Sequence, residues 1–242
     1  MSSSNRFFRF FFAVVPVLLL GITSAVPAQE GKLNEPPPGF RALFNGKDLA
    51  NWKGQIAEDP RRVAKLLDGL SAEEKAKKQQ EADRKTFEHW VVQDGLIHFT
   101  GKRGIGNIET RAEFGDFELY LDWKITPKGD SGVFLRNMPQ VQIWDPKHQK
   151  VGSGGLYNNK PRIDPIKTAD KPAGEWNTFH IKMVGDKVWI KLNGELVIDG
   201  AVQDNYWAEY KKPAPPRGPL VLQSHGTPLW FRNVFIKELR GD

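Results

Sequence analysis

The chain has 242 residues, a formal net charge of +6 and no cysteine. The absence of cysteine excludes disulfide bonds, thiol catalysis and cysteine-based zinc sites. The lysine and arginine residues are spread along the sequence without a block interleaved with aromatic residues, which argues against nucleic-acid binding.

The N-terminal residues have the pattern of an export signal. Arg6 and Arg9 form a basic segment, residues 10–22 are apolar, and residues 26–28 provide the small side chains of a cleavage site. The apolar run is shorter than the roughly 20 residues that a membrane span requires, and an uncleaved N-terminal anchor is the alternative. We therefore expect an exported protein, periplasmic or extracellular, without a membrane span once the signal is removed.

Composition predicts one domain after this signal. The predicted boundaries are a signal peptide at 1–28, a proline-rich linker at 29–39 and a single domain at 40–242.

A helical insertion is predicted at about residues 58–87. Asp59 and Pro60 suit the N-cap and first position of a helix, and Ser71 with Glu74 forms a capping box that opens a second one. Because the second helix is rich in Lys, Glu and Gln, we interpret it as a solvated surface, with docking of a partner as the alternative.

The rest of the domain alternates apolar and polar residues with a period of two, which is typical of half-buried strands. Asp94-Gly95 and Asn193-Gly194 are hairpin turns. The pattern predicts strands at 40–44, 90–92, 96–99, 117–125, 131–136, 141–144, 179–183, 188–192, 195–198, 218–226 and 229–239. So many short antiparallel strands indicate an all-β sandwich or jelly roll. The intervening segment 145–177, which contains Tyr157 and Trp176, is expected to be a packed functional loop.

Polar side chains recur on the last two predicted strands. They are Gln223, His225, Arg232 and Asn233, set among bulky apolar residues. Such residues either face water or line a concave surface that recognises a polar ligand such as a sugar.

Several segments, in this order along the chain, resemble the 3-keto-disaccharide hydrolase domain family. They are Leu43–Leu49 with Trp52, Gly115–Leu119, Ser131–Arg136, Val141–Asp145, Gly174–Asn177, Leu192–Gly194, Leu222–Gly226 and Phe231–Leu239. The resemblance covers residues 40–239 and implies a concanavalin A-like jelly roll of two antiparallel sheets, acting on 3-keto-glycosides. Two features depart from the family pattern: Gln140 stands where members often carry a carboxylate, and the helical insertion is additional.

A ketone at C3 of a sugar acidifies the proton at C2, so that a modest base can remove it and the enolate can expel the group at C1. This differs from ordinary glycosidase chemistry, which uses two carboxylates flanking the bond. The Glu-x-Asp-x-x-Glu strand of retaining β-glucanases is absent, because Glu113 and Asp116 have the wrong spacing and would lie on opposite faces of a strand.

Elimination requires a base, an acid and a group that stabilises the enolate oxygen. We expect His225 as base or acid, since imidazole titrates near neutral pH, Arg136 at the enolate oxygen, and Asp145 as a base or metal ligand. Each also has a purely structural interpretation. His225 would be a strand histidine hydrogen-bonded by its neighbours, Arg136 a surface residue or a member of a structural ion pair, and Asp145 a turn residue before Pro146. A divalent metal on oxygen and imidazole ligands, such as Asp145 with His148, is compatible with the sequence but not required by it, so the cofactor stays open.

The remaining predicted site residues would contact the sugar or close the cleft. They are Gln142, Trp144, Tyr157, Lys171, Glu175, Gln223 and Arg232. The expected partner is a carbohydrate small molecule, and the oligomeric state is not predicted. Two other functions remain open: a carbohydrate-binding module without catalysis, and an envelope protein whose helical insertion docks a partner.

Overall fold

The computed structural model describes residues 32–138 and 140–239, so the predicted signal peptide lies outside the described part. The described strands are β1 (Arg41–Ala42), β2 (Trp52–Gly54), β3 (Trp90–Gln93), β4 (Leu96–Phe99), β5 (Ile108–Thr110), β6 (Phe117–Ile125), β7 (Asp130–Phe134), β8 (Val141–Trp144), β9 (Asn177–Val184), β10 (Lys187–Leu192), β11 (Glu195–Val202), β12 (Val221–Leu222) and β13 (Leu229–Glu238). Two α-helices, α1 (Pro60–Leu67) and α2 (Ala72–Phe87), and a short 3-10 helix at Tyr206–Ala208 complete the described elements.

The strands form two sheets. The large sheet has eight strands in the order β11-β10-β9-β6-β13-β4-β3, with β1 also paired to β13, and the small sheet has five strands in the order β2-β5-β12-β7-β8. The pairings within both sheets are antiparallel. The predicted all-β sandwich of two antiparallel sheets with a small helical insertion is thus confirmed.

The core lies between the facing sides of the two sheets. Along β6, Phe117, Leu119, Leu121, Trp123 and Ile125 are at most 2% exposed, and the residues between Phe117 and Leu121 are more exposed. The small sheet supplies its alternate residues to the same core, among them Ile108, Val133, Ile143 and Leu222. This alternation leaves each sheet with an outer face made of the other residues of each strand.

Strand β7 ends two residues earlier than its sequence pattern predicts. Arg136 and Asn137 have φ angles of 55° and 57°, in the left-handed region. Such angles are incompatible with an extended strand, and the chain turns across the start of β12, where a Cβ on Gly218 would lie 2.6 Å from the Arg136 carbonyl oxygen.

The helices begin where their caps place them. The Asp59 side chain accepts the Arg61 N–H, and Ser71 and Glu74 form the reciprocal capping box. Helix α2 packs on β2, where the Gly54 N–H donates to Asp83 and its carbonyl accepts from Gln79. A side chain at Gly54 would meet the Ala82 carbonyl oxygen at 2.8 Å, so glycine permits this close approach. Thus α2 forms a wall at the β2 edge of the small sheet.

Within the described residues, no helix has the length and apolar character to cross a membrane.

Candidate functional site

The outer face of the small sheet carries a set of polar side chains, which we call the polar face. The register places Asp130 beside Trp144, and Gly132 beside Gln142. Val221 aligns with Glu109, which aligns with Lys53 in β2. Side chains at paired positions share a face of a sheet. The polar face is therefore fixed by strand pairing as well as by the loops around it.

A chain of amides ends on Asp130. The Gln142 Nε2 donates to Asp130 Oδ1 at 2.8 Å, and the Gln140 Nε2 donates to Gln142 Oε1 at 2.9 Å. Gly132 makes room for this arrangement, because a Cβ there would lie 2.4 Å from the Gln140 side chain. Gln140 thus orients Gln142.

Three titratable groups meet at one end of the polar face. The His225 Nδ1 lies 3.6 Å from Asp130 Oδ2, and the imidazole is 58% exposed. Burial raises the pKa of Glu58 above its usual range, and the nearby His225 partly opposes that rise. This end therefore holds an accessible imidazole, a carboxylate that can orient it, and a carboxyl group that keeps its proton to a higher pH.

Gln223 is the residue of the polar face whose side chain lacks a partner. Its backbone N–H donates to the Gly132 carbonyl at 3.0 Å, and the residue is only 7% exposed. The buried Oε1 accepts no hydrogen bond in the described part of the chain. Such a group costs about 1–3 kcal/mol of stability, and functional sites are where this cost recurs.

A hydrogen-bonded network lies farther along the polar face. The Gln55 Nε2 donates to Glu109 Oε2 at 2.9 Å and to Asn137 Oδ1 at 3.1 Å, and Gln55 Oε1 accepts from Asn107. Lys53 pairs with Glu109 at 3.0 Å. Gln55, Glu58, Asn107 and Ser224 line a cleft of 570 Å³ against α2, which we call the polar cleft.

Arg136, expected from the sequence at the enolate oxygen, lies buried away from the polar face. Its side chain is 2% exposed, and its nitrogens bond to the carbonyls of Gly115, Gly185 and Pro215 and to Asp116 Oδ1 at 2.7 Å. With its donors directed at these partners, Arg136 ties the turn after β7 to the ends of β6 and β9.

Asp145 is placed as a turn residue, the structural alternative considered for it. Its Oδ2 accepts the Lys128 N–H at 2.8 Å, its Oδ1 accepts the Lys147 N–H at 3.0 Å, and it is 4% exposed. The pairing of Asp145 with His148 as metal ligands is not supported by this geometry. Among the described residues, no group of three or more His, Asp or Glu side chains is arranged to hold a metal ion.

Trp144 and Tyr157 lie at the β8 edge of the polar face. Trp144 is 9% exposed, and the 44% exposed Tyr157 contacts it edge-on with 5.4 Å between ring centroids. Ser153 fixes this loop, because its hydroxyl accepts the Trp144 N–H at 2.9 Å. The Tyr157 part of the segment 145–177 is therefore packed at the small sheet, whereas Trp176 lies against Arg232 of the large sheet.

Three predicted substrate contacts belong to the large sheet instead. Arg232 lies on that sheet's outer face, with Nε 3.0 Å from Asp122 Oδ2 and its guanidinium 4.1 Å from the Trp176 ring centroid. Lys171 and Glu175 are exposed and lie in the segment leading into β9. Of the predicted residues, the structure groups His225, Gln142, Gln223 and Trp144 on one face and places Arg232 on the other sheet.

Sequence reasoning did not select Asp130, Glu58, Gln55, Glu109 or Lys53. Asp130 directly precedes the Ser131 strand motif, and that position was a usable signal. Glu58 directly precedes the N-cap of α1 and therefore looks like part of the helix start. Lys53 and Glu109 lie on strands of three residues, and Gln55 lies beside one. These segments are too short to show a period of two.

Comparison with known proteins agrees with this architecture. A curated protein of Bacteroides thetaiotaomicron named 3-keto-disaccharide hydrolase is 24% identical over 254 aligned positions, covering 83% of this chain and 79% of the relative. A Parabacteroides distasonis structure described as a glycosyl hydrolase superposes with a TM-score of 0.62 at 22% identity, over 86% of this chain and 100% of that one. A second Parabacteroides distasonis structure, also described as a glycosyl hydrolase, superposes with a TM-score of 0.50 at 26% identity, over 63% of this chain and 91% of that one.

The sequence profile of the 3-keto-alpha-glucoside-1,2-lyase-like domain matches residues 39–237, which is most of the chain. The resemblance seen in the sequence motifs is thereby confirmed, and with it the expectation of a carbohydrate-active enzyme. The chain belongs to the 3-keto-alpha-glucoside-1,2-lyase-like domain family.

Proposed function

We propose that this protein cleaves 3-keto-glycosides by elimination across C2 and C1, with the oxidised sugar bound on the polar face of the small sheet. Family membership and a relative named 3-keto-disaccharide hydrolase support the substrate class. The observation that carries the location is the exposed His225 imidazole, whose Nδ1 lies 3.6 Å from Asp130 Oδ2 on this face.

Side chains of the polar face suit the three roles of the reaction, which are base, enolate stabiliser and acid. His225 takes the C2 proton, and Asp130 stabilises the resulting imidazolium. We assign to the Gln223 amide N–H groups the negative charge that develops on the C3 oxygen. Glu58, whose pKa is raised by burial, donates its proton to the departing C1 oxygen.

The atoms balance in two steps. The C2–H and C1–O bonds break, a C1=C2 double bond forms, and the aglycone leaves with the proton from Glu58. Water then adds across the double bond, with its hydroxyl at C1 and a proton at C2, which yields a free 3-keto sugar. The net outcome is hydrolysis, although no carboxylate attacks the anomeric carbon.

Incubation of the purified protein with a methyl 3-keto-glucoside in D₂O tests this proposal. We expect free methanol and deuterium at C2 of the sugar product, and a primary isotope effect with a C2-deuterated substrate. The matched control is the unoxidised methyl glucoside, whose C2 proton is not acidic and which should stay intact. Binding of the keto-sugar without cleavage would instead indicate a carbohydrate-binding module, and release of methanol without C2 exchange or an isotope effect would exclude the elimination.

We also propose that the protein is exported. The support is the basic, apolar and small-residue pattern of residues 1–28. Fractionation of cells producing the full chain should place it outside the cytoplasm, and deletion of residues 2–28 should retain it inside. Equal cytoplasmic recovery of both forms would contradict export.

A further inference from the structure

A second cleft, of 930 Å³, lies beside the polar face. It is bounded by α1, by the 205–219 segment and by the β2–β5 edge of the small sheet. Glu109 and Asn137 line it, and both bond to Gln55, which lines the polar cleft. The two clefts therefore share one hydrogen-bonded wall.

The walls of this second cleft differ from those of the polar cleft, since mostly carbon atoms are exposed in it, although charged side chains such as Arg111, Glu113 and Lys211 also line it. Trp207 presents a flat ring, held by its Nε1–H bond to the Asn137 carbonyl and by edge-on contact with Tyr206 at 5.0 Å. Val63 and Met138 contribute aliphatic surface, and Pro60, Pro213, Pro215, Pro216 and Pro219 add rigid apolar surface. We call it the apolar cleft.

The spacing of the two clefts matches one glycosidic linkage. Val221 in β12 and Gln223 just after it lie on the same side of the small sheet, about 6.6 Å apart at 3.3 Å per residue, and Val221 aligns with Glu109 of the apolar cleft. A pyranose ring over Gln223 would thus place its C1 substituent at the edge of the apolar cleft. The volume falls within the usual range for small-molecule sites, about 300–1,000 Å³.

We propose that the apolar cleft binds the aglycone of the 3-keto-glycoside and selects a flat, apolar one, such as an aryl group. This inference rests on the proposed function, because it assigns the leaving group of that reaction. An aromatic ring buries its faces against Trp207 and the prolines, whereas the hydroxyls of a second sugar would meet carbon over most of this surface.

Helix α1 supplies one side of the cleft. The helix has no buried residue, and Val63 faces the cleft while Leu66 is 38% exposed and does not line it. The insertion thus adds to the family fold a wall that discriminates among aglycones. Because α1 contributes little to the core, substitutions on it can change binding without unfolding the domain.

Four variants test this assignment: Val63→Asp and Trp207→Ala, with Leu66→Asp as the matched control on the same helix and Trp207→Phe as the conservative replacement. For each, kcat and KM are measured on 4-nitrophenyl and methyl 3-keto-glucosides of both anomers. We expect Val63→Asp and Trp207→Ala to raise KM for the aryl substrate about tenfold and to leave the methyl substrate within about twofold. Leu66→Asp should resemble the wild type on both substrates, and Trp207→Phe, which keeps an aromatic face but loses the bond to the Asn137 carbonyl, should raise KM for the aryl substrate less than Trp207→Ala does.

Calorimetric binding of unoxidised 4-nitrophenyl glucoside, compared with methyl glucoside, gives a readout independent of cleavage. Tighter binding of the aryl compound, weakened by Val63→Asp, supports the assignment even for a catalytically silent preparation. Equal losses on both 3-keto substrates, or no loss on either, would overturn it. Failure to cleave either 3-keto-glucoside, with aryl binding intact, would refute the proposed function while leaving the apolar cleft as a binding site.

Discussion

The outer faces of the two sheets both carry polar and aromatic side chains, but they differ in how far their titratable side chains are exposed. On the large sheet, Asp122 accepts from Thr178, Arg232 and Asn233 at 2.6–3.0 Å. A register shift in β13 between Arg232 and Phe235 lets Arg232 and Asn233 reach the same carboxylate. This carboxylate is thus saturated by its neighbours.

Rings on the large sheet are also paired with one another. His180 stacks on Tyr120 with 4.1 Å between centroids and bonds to Glu118, and His98 stacks on Trp230 at 4.9 Å. On the polar face of the small sheet, by contrast, His225 is 58% exposed and Gln223 Oε1 is buried without a partner. His98 Nδ1 on the large sheet is likewise buried without a hydrogen-bond partner in the described residues, so the two faces differ chiefly in exposure: the histidines of the large sheet pack against neighbouring rings, whereas His225 faces solvent.

The largest effect that separates the two faces should come from their histidines. His225→Ala should lower kcat/KM on a methyl 3-keto-glucoside by about 100-fold or more, since it removes the proposed base, and should leave the melting temperature nearly unchanged because the side chain is exposed. His180→Ala, its counterpart on the large sheet, should keep kcat/KM within about twofold. Steady-state kinetics and thermal unfolding measure both. Equal losses of activity would abolish the proposed division between the faces.

Arg136 should behave as a stabilising residue. Arg136→Ala leaves Asp116 and three backbone carbonyls without their donor, so we expect the free energy of unfolding to fall by about 3 kcal/mol. Urea unfolding measures this, with the exposed pair variant Arg84→Ala expected to lose only about 0.3–0.5 kcal/mol. A large drop in kcat at unchanged stability would restore the catalytic role expected from the sequence.

Substitutions that remove a polar or charged group should have opposite effects on stability and activity at Gln223 and at Asp122. Gln223→Leu removes an orphaned oxygen, so stability should hold or rise by about 1 kcal/mol, while kcat falls about 100-fold because the enolate loses its donor. Asp122→Asn breaks a satisfied cluster and should cost about 1–3 kcal/mol with KM unchanged. Chemical denaturation and kinetics on the same preparations distinguish the two. Destabilisation by Gln223→Leu would show that its oxygen has a structural partner.

The smallest expected effect is on the pH dependence of stability. Titratable groups on the two faces should change the free energy of unfolding in opposite directions as the pH rises. Burial lowers the pKa of His98 and His180 below 6.5, so their contribution is present above pH 6.5 and is lost as the pH falls below it. The pKa of Glu58 is raised above 4.5, so its contribution is present below pH 4.5 and is lost as the pH rises toward its folded value.

Urea unfolding between pH 4.5 and 6.5 separates these contributions. Glu58→Gln should make the rise of stability with pH steeper, and the double variant His98→Gln/His180→Gln should make it shallower. Identical slopes in all three proteins would contradict the burial assigned to these groups.

Much of the fold follows from local pattern in the sequence. The alternation in 117–125 predicts β6 to the residue, and Asp94-Gly95 and Asn193-Gly194 join the strands that they were expected to join. The caps at Asp59 and Ser71 locate both helices of the insertion. These features depend on local backbone geometry and on which side chains are apolar, and residues close together in the sequence determine both.

The site was harder to predict, because its roles depend on partners that lie far away in the sequence. Arg136 and His225 look equally suited to chemistry in the sequence, yet Arg136 is saturated by carbonyls up to 79 positions away and His225 is open beside Asp130. Asp145 likewise looks like a base until its two backbone donors are seen.

The alternation of side chains and the order of the motifs were enough to identify an antiparallel sandwich of this family. The proposed site could be located only in the folded chain, since the packing of β2, β5, β7, β8 and β12 brings Glu58, Asp130, Gln223 and His225 to one surface. The physical reason is that a polar group's function depends on whether its hydrogen bonds are already satisfied, and that is a property of the folded chain.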